Sequence, residues 1–199
     1  MKRIVHLAVY NTLADWETGY ATAHLRGEQY DVVTVAETLD PITTMGGMRI
    51  LPDITLDSLS PADSAMLILP GAELWDAGDD LRAFAAKAGE FLAEGVPVAA
   101  ICGAVAGPLA RAGLLDERDH TSAVDGYLLA QEGYGGAARY VEADAVTGGD
   151  LITAGPTEPV AFAREILGRL DVYKPDMLDA WFRLFKYSDP AAAEVMMGS

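Results

Sequence analysis

The sequence predicts an α/β protein built on a mostly parallel central sheet with helices on both faces. Three observations carry this. Short apolar runs of strand length recur at residues 4–9, 65–69 and 98–101, with a less uniform one at 31–36. Runs without a polar face belong to strands covered on both sides. Stretches with helical spacing lie between them at 16–26 and 80–93, and another follows at 158–170; this alternation selects parallel pairing through crossover helices. Finally, Val98-Ala99-Ala100-Ile101 leads through Cys102-Gly103 straight into small residues that begin a helix. A nucleophile on so tight a strand-to-helix turn is pushed out of the sheet on strained backbone, and small residues two before and two after it, here Ala100 and Ala104, let the chain approach itself.

Taken in order, residues 4–9 form a first buried strand, and 11–15 a polar turn with Asp15 as N-cap of a helix over 16–26 that Gly27 ends. A second strand at 31–36 completes a strand–helix–strand unit. Gly46-Gly47 sits between short extended pieces within 43–51, a hairpin pattern. Residues 56–59 read as a linker. Ala65 to Leu69 is a third strand, closed by Pro70-Gly71. The helix over 80–93 turns Leu81, Phe84, Ala85, Ala88, Phe91 and Leu92 to one face. The elbow strand follows, then a helix toward Ala112 that Gly113 caps. A short strand at 120–123 and a helix at 126–131 come next, then a hairpin of 140–146 with 151–154 around Thr147-Gly148-Gly149-Asp150. The helix over 158–170 has Thr157 at its cap position. A last helix spans 177–185, and 190–199 reads as a loose tail. The division this suggests is a main domain over 1–172 and a C-terminal helix with tail over 173–199.

A net charge of −16 over 199 residues argues against nucleic acid or an anionic membrane as partner, since both need a basic face. One cysteine excludes an internal disulfide framework and a cysteine-rich zinc site; no metal and no cofactor are expected. Met1-Lys2-Arg3 runs into an apolar stretch too short for a signal core, and no run approaches membrane-spanning length, so a cytoplasmic location is expected.

In sheets of this kind, sites form at the carboxyl ends of strands. Three ends converge: the turn at residues 15–17, the turn at 70–73, and Cys102. Cys102 acts on an electrophilic carbon as thiolate, which the following helix N-terminus favours; the alternative is a buried structural cysteine. Gly71, Ala72 and Gly103 offer amides for an oxyanion hole, although Gly71 equally suits a plain strand-ending turn. Glu17 sits in the first turn of the first helix, either as a charge suited to the helix dipole or as a carboxyl beside Cys102. Buried there, it would keep its proton and donate a hydrogen bond. Asp15 competes for that place. Of the three histidines, His6 and His24 read as structural. His120 reads either as a residue reaching the rim or as a solvated strand-edge side chain, so a Cys–His pair has no obvious base.

These residues resemble the ThiJ/PfpI family, a branch of the class I glutamine-amidotransferase-like fold. The resemblance runs from Ile4 to about Leu170. It is carried jointly by Glu17, Leu51-Pro52-Asp53, Leu69-Pro70-Gly71-Ala72, Ala100-Ile101-Cys102-Gly103-Ala104, Gly113-Leu114-Leu115-Asp116, Thr121-Ser122 and Leu151-Ile152-Thr153-Ala154-Gly155. Trp75 and His120-Thr121-Ser122 are similar to the bacterial YdeA-type members. The resemblance implies a flavodoxin-like three-layer sandwich, a cysteine on a nucleophile elbow, a carboxylate paired with it, and a homodimer. The chain departs from amidotransferases, which carry a late His-x-Glu where this one has Gly155-Pro156-Thr157-Glu158. It also departs from PfpI-type peptidases, which carry histidine where this one has Gly103, and from YdeA-like asparagine at Ala123. The expectation is a cysteine-dependent enzyme on a small-molecule substrate, of hydrolase, hydratase or glyoxalase-like type. The alternatives are an oxidation sensor or stress protein using the same cysteine, or a protein that binds without turnover.

Overall fold

The computed structural model describes residues 2–27, 29–75 and 81–198. Its main sheet has seven strands in the order β5-β2-β1-β6-β7-β9-β8. They are β1 (Arg3–Ala8), β2 (Tyr30–Ala36), β5 (Ile54–Thr55), β6 (Met66–Leu69), β7 (Val98–Ile101), β8 (Ala145–Gly148) and β9 (Leu151–Ala154). All neighbours are parallel except β8, which closes the edge as the antiparallel hairpin partner of β9. The remaining two, β3 (Ile42–Thr43) and β4 (Arg49–Ile50), form the separate hairpin read around Gly46-Gly47. Strands β6 and β7 are buried at every residue because both faces are covered. Leu67, Leu69, Val98 and Ala100 face α2 (Arg82–Ala93), the elbow helix (Val105–Leu109) and α3 (Asp125–Leu129). Met66, Ile68, Ala99 and Ile101 face α1 (Gly19–Leu25), α4 (Pro159–Arg169) and α5 (Pro175–Tyr187). The period-two split of adjacent residues between two cores is what strand geometry imposes.

Several local expectations are corrected. Helix α1 starts at Gly19, and Asp15 does not cap it. The segment ahead of it is held by other partners: Ala14 N–H donates to the Gly71 carbonyl, Met45 N–H to the Leu13 carbonyl, and Asp15 Oδ2 accepts from Gly46 N–H at 2.6 Å. These bonds pin the chain between the hairpin and the glycine turn, so Glu17 lies in a loop before the helix rather than in its first turn. Residues 120–123 make only a bridge, His120 with Tyr140. Strand β9 is already paired on both edges, and Thr121 N–H reaches the Thr153 side-chain hydroxyl instead, at 2.8 Å. Thr157 is no cap: α4 begins with Pro159 at its first position, where a missing N–H costs nothing. The elbow helix is opened at Gly107, which leaves helical dihedrals (φ −100°, ψ −109°) just ahead of Pro108. The expected start of the 80–93 helix at Asp80 falls outside the described residues.

The C-terminal stretch is more ordered than its sequence suggests. Residues 190–197 form α6 (Pro190–Met197), not a loose tail: Asp189 Oδ1 accepts from Ala191 N–H at 2.9 Å, and Pro190 takes the first helical position. This is a capping pattern followed by good helix formers. Helix α5 seats a fully buried Trp181 in the core shared by α1 and α4. Among the described residues, no helix is long and apolar enough to cross a membrane.

Candidate active site

Strands β1, β6 and β7 are consecutive in the sheet, so the segments leaving their carboxyl ends meet. Cys102 follows β7 with φ of 62°, left-handed backbone that costs a non-glycine residue roughly 1–2 kcal/mol. Its own N–H is held by the Ala154 carbonyl at 3.0 Å, and its side chain is half-buried. The strained turn expected from the small residues is therefore present at Cys102.

Glu17 is fully buried. Its Oε2 accepts the Gly71 N–H at 2.5 Å. Oε1 makes no hydrogen bond of ordinary geometry; the thiol of Cys102 acts on the carboxyl and favours its ionised form. Burial outweighs both interactions and raises the pKa from 4.5 to about 7, because desolvation disfavours charge. Gly71 completes the contact by having no side chain: a Cβ there would lie 2.8 Å from Cys102 Cβ and 2.9 Å from each Glu17 oxygen.

Of the three amides expected as an oxyanion hole, Gly71 does not qualify, since its N–H is taken by Glu17. The Ala72 and Gly103 amides donate to no acceptor among the described residues. Gly103 is closely packed as well: a Cβ on it would lie 3.2 Å from Trp75 Cβ. Asp15 is not brought to the cysteine; it braces the hairpin turn at Gly46. His120 fits neither expectation. It is fully buried, its Nδ1–H donates to the Arg118 carbonyl at 2.7 Å and its Nε2 accepts from the Tyr134 hydroxyl at 2.7 Å. A ring with both nitrogens engaged is not a base poised for a thiol. His6 pairs with Ser64 and His24 lies between Tyr173 and Trp181, both structural as read. Among the described residues, no group of three or more His, Cys, Asp or Glu could hold a metal.

Sequence reasoning missed Tyr10. It is 4% exposed, two residues past β1, and close enough to Glu17 and Cys102 that their charges help raise its pKa, after burial as the main cause. A tyrosine two residues after the first strand, on the rim side, was the available signal. Beyond the β9 end lies a shallow recess of about 260 Å³ that includes Ser122, Gly155 and Glu158. Ser122 is buried, and its Oγ finds no partner among the described residues.

A doubly covered parallel sheet, a cysteine at positive φ on the turn after a central strand, and a buried carboxyl against it define a class, and the chain belongs to the DJ-1/PfpI family, whose model matches residues 2–169. Among relatives, it is similar to the protein called uncharacterized protease YoaZ of Bacillus subtilis, 39% identical over 94% of this chain and 93% of that one. It is also similar to uncharacterized protease YdeA of the same organism, 31% identical over 94% of this chain and 92% of that one. The crystal structure of a thiJ/pfpI family protein from Bacillus anthracis superimposes with a TM-score of 0.93 at 37% identity, covering 100% of this chain and 97% of that one.

Proposed function

We propose that this protein is a cysteine-dependent enzyme for a small molecule. Cys102 attacks an electrophilic carbon as thiolate, Glu17 positions the sulfur and carries a proton, and the Ala72 and Gly103 amides receive the developing negative charge. The observation that carries this reading is the buried Glu17 carboxyl set against the thiol with a pKa of about 7. A group that is part protonated at neutral pH both gives and takes a proton efficiently.

The same geometry supports a restriction on the substrate. Amide hydrolysis releases an amine that needs protonation on leaving, the task a histidine base performs in Cys–His enzymes. All three histidines here have other partners. Substrates with no hard amine departure fit better: an α-oxoaldehyde, an isonitrile or an activated ester. YoaZ and YdeA carry the name protease, so peptide amides belong in the assay beside glutamine, methylglyoxal and a small isonitrile. Wild type should turn over one of the non-amide substrates, and Cys102→Ser should lose that turnover. Cys102-dependent hydrolysis of peptide or glutamine would reject the restriction. A protein inert to the whole panel whose cysteine oxidises readily would favour the sensor reading.

The homodimer is part of the same proposal. Trp181 is spent within its own chain, so α5 is no argument for it. The support is family membership and the exposed Trp16, Met45 and Met48 around the loop and hairpin next to Glu17. Light scattering should give twice the monomer mass; a monomer mass would refute it.

A further inference from the structure

The peptide unit joining Pro70 to Gly71 is held at both ends. On one side its N–H donates to Glu17 Oε2 at 2.5 Å. On the other, its carbonyl accepts the Tyr10 hydroxyl in a short hydrogen bond and Trp75 Nε1–H at 2.9 Å. Trp75 Nε1–H also reaches Tyr10 Oη at 3.0 Å, closing a three-membered polar cluster. Both side chains are almost wholly enclosed, Tyr10 at 4% and Trp75 at 1% exposure. The rings meet edge to face, centroids 5.4 Å apart at 87°, and Phe84 backs Tyr10 at 5.1 Å. Buried hydroxyl and indole N–H groups need partners, yet nothing requires both to converge on one carbonyl, two bonds from the atom that holds Glu17.

We propose that Tyr10 and Trp75 are positioning residues for the Glu17–Cys102 pair, acting through the Pro70–Gly71 peptide. Two effects run through that unit. Geometrically, a carbonyl fixed by two donors fixes the plane of the amide, and so the direction of the Gly71 N–H. Electronically, a peptide whose oxygen accepts two hydrogen bonds is polarised and its N–H becomes a better donor. A better donor to the carboxylate favours the ionised form of Glu17 and opposes the burial that drives it toward the acid. Trp75 also packs beneath the elbow helix, with its Cβ near Gly103 and its carbonyl near Gly107, so the same side chain braces the other half of the pair. The titratable group acting on Glu17 is Cys102 on the elbow; the Glu17 charge in turn acts on Tyr10, which stays neutral because burial raises its pKa well above 10.

The inference rests on the Glu17–Cys102 reading, and its test separates the two. The rate of Cys102 alkylation by iodoacetamide is followed against pH in the intact protein, and needs no substrate. Wild type should show an inflection near pH 7 that Glu17→Gln removes, which assigns it to Glu17. In Tyr10→Phe, which deletes only the hydroxyl, the inflection should move upward by about half a pH unit. Trp75→Phe, which keeps a ring and deletes the N–H, should move it in the same direction, and serves alone if Tyr10→Phe does not fold. Phe84→Leu disturbs the packing of Tyr10 but no hydrogen bond, and should leave the inflection in place. A profile unmoved by both Tyr10→Phe and Trp75→Phe, while Glu17→Gln still removes it, overturns the positioning role and leaves the pair intact. A profile that Glu17→Gln does not change overturns the pair itself. An equal shift in Phe84→Leu would mean packing, not the polar contact, sets the geometry, and would also overturn the proposal.

Discussion

Glu17 is fully buried and His24 half-buried, and desolvation shifts both toward their neutral forms. The similarity ends at their hydrogen bonds. Around His24, Trp181 Nε1–H donates to Nε2 at 3.0 Å and Nδ1–H meets the Tyr173 hydroxyl at 2.8 Å, so the ring's polar capacity is used up. Around Glu17, one oxygen is held by Gly71 and the other, outside ordinary hydrogen-bond geometry, is left to the Cys102 thiol alone. A satisfied network rigidifies, whereas a buried group left short of partners stores a cost. Cys102 at positive φ adds backbone strain at the same place. The contrast marks the β1–β6–β7 rim as the strained, polar-poor region and the α1–α5 contact as the satisfied one.

The largest effect should come from opening the satisfied region. Trp181 is fully buried, and Trp181→Ala should destabilise the fold by about 3–5 kcal/mol in urea unfolding. The alkylation rate of Cys102 in the folded fraction should stay as it is. A changed thiol rate would mean the two regions are not separate.

Next comes the pH dependence of stability. Folded Glu17, with pKa raised from 4.5 to about 7, retains a proton that the unfolded chain has released. Stability should therefore fall as pH rises between those values, by roughly 3 kcal/mol in total. Urea midpoints across that range should show the decline in wild type and lose it in Glu17→Gln.

Gly71→Ala sharpens the comparison from inside the rim. The added methyl meets Cys102 Cβ and both Glu17 oxygens at under 3 Å, and the pair must separate. Displacement on the scale of an ångström costs about 100-fold in rate, so kcat/KM on the substrate found by the panel should drop by that order. The smallest effect belongs to His24. Its pKa is lowered by burial, so its contribution is present above the unfolded value near 6.5 and is lost as pH falls below it. An acid limb in the urea midpoint, reduced in His24→Gln, would show it; His6, whose pKa is also lowered by burial, supplies the remainder.

The sheet and its helices were legible because apolar runs and helical spacing report burial directly. Cys102 was legible from Ala100 and Ala104, whose smallness the elbow requires. Glu17 was found through its position after β1, but its loop setting was not, because the bonds that unwind residues 14–17 come from Gly71 and Gly46, far away in sequence. Gly71 was assigned the wrong task for the same reason: nothing local says that its N–H already has an acceptor. The cluster of Tyr10, Trp75 and the Pro70 carbonyl was invisible, since its members belong to separate strand ends. The α6 helix was different, as Asp189-Pro190 before an alanine run is a readable start signal.

The central claim is that the Glu17 carboxyl and the Cys102 thiol form one coupled unit. The most direct measurement is an NMR titration of the ¹³C-labelled Glu17 carboxyl in native protein and in Cys102→Ala. The account predicts a midpoint near 7 in the native protein, in line with burial of the carboxyl. It predicts a higher midpoint in Cys102→Ala, where the thiol's hydrogen bond no longer favours the carboxylate. A native midpoint near 4.5, or one that Cys102→Ala leaves unchanged, would contradict it.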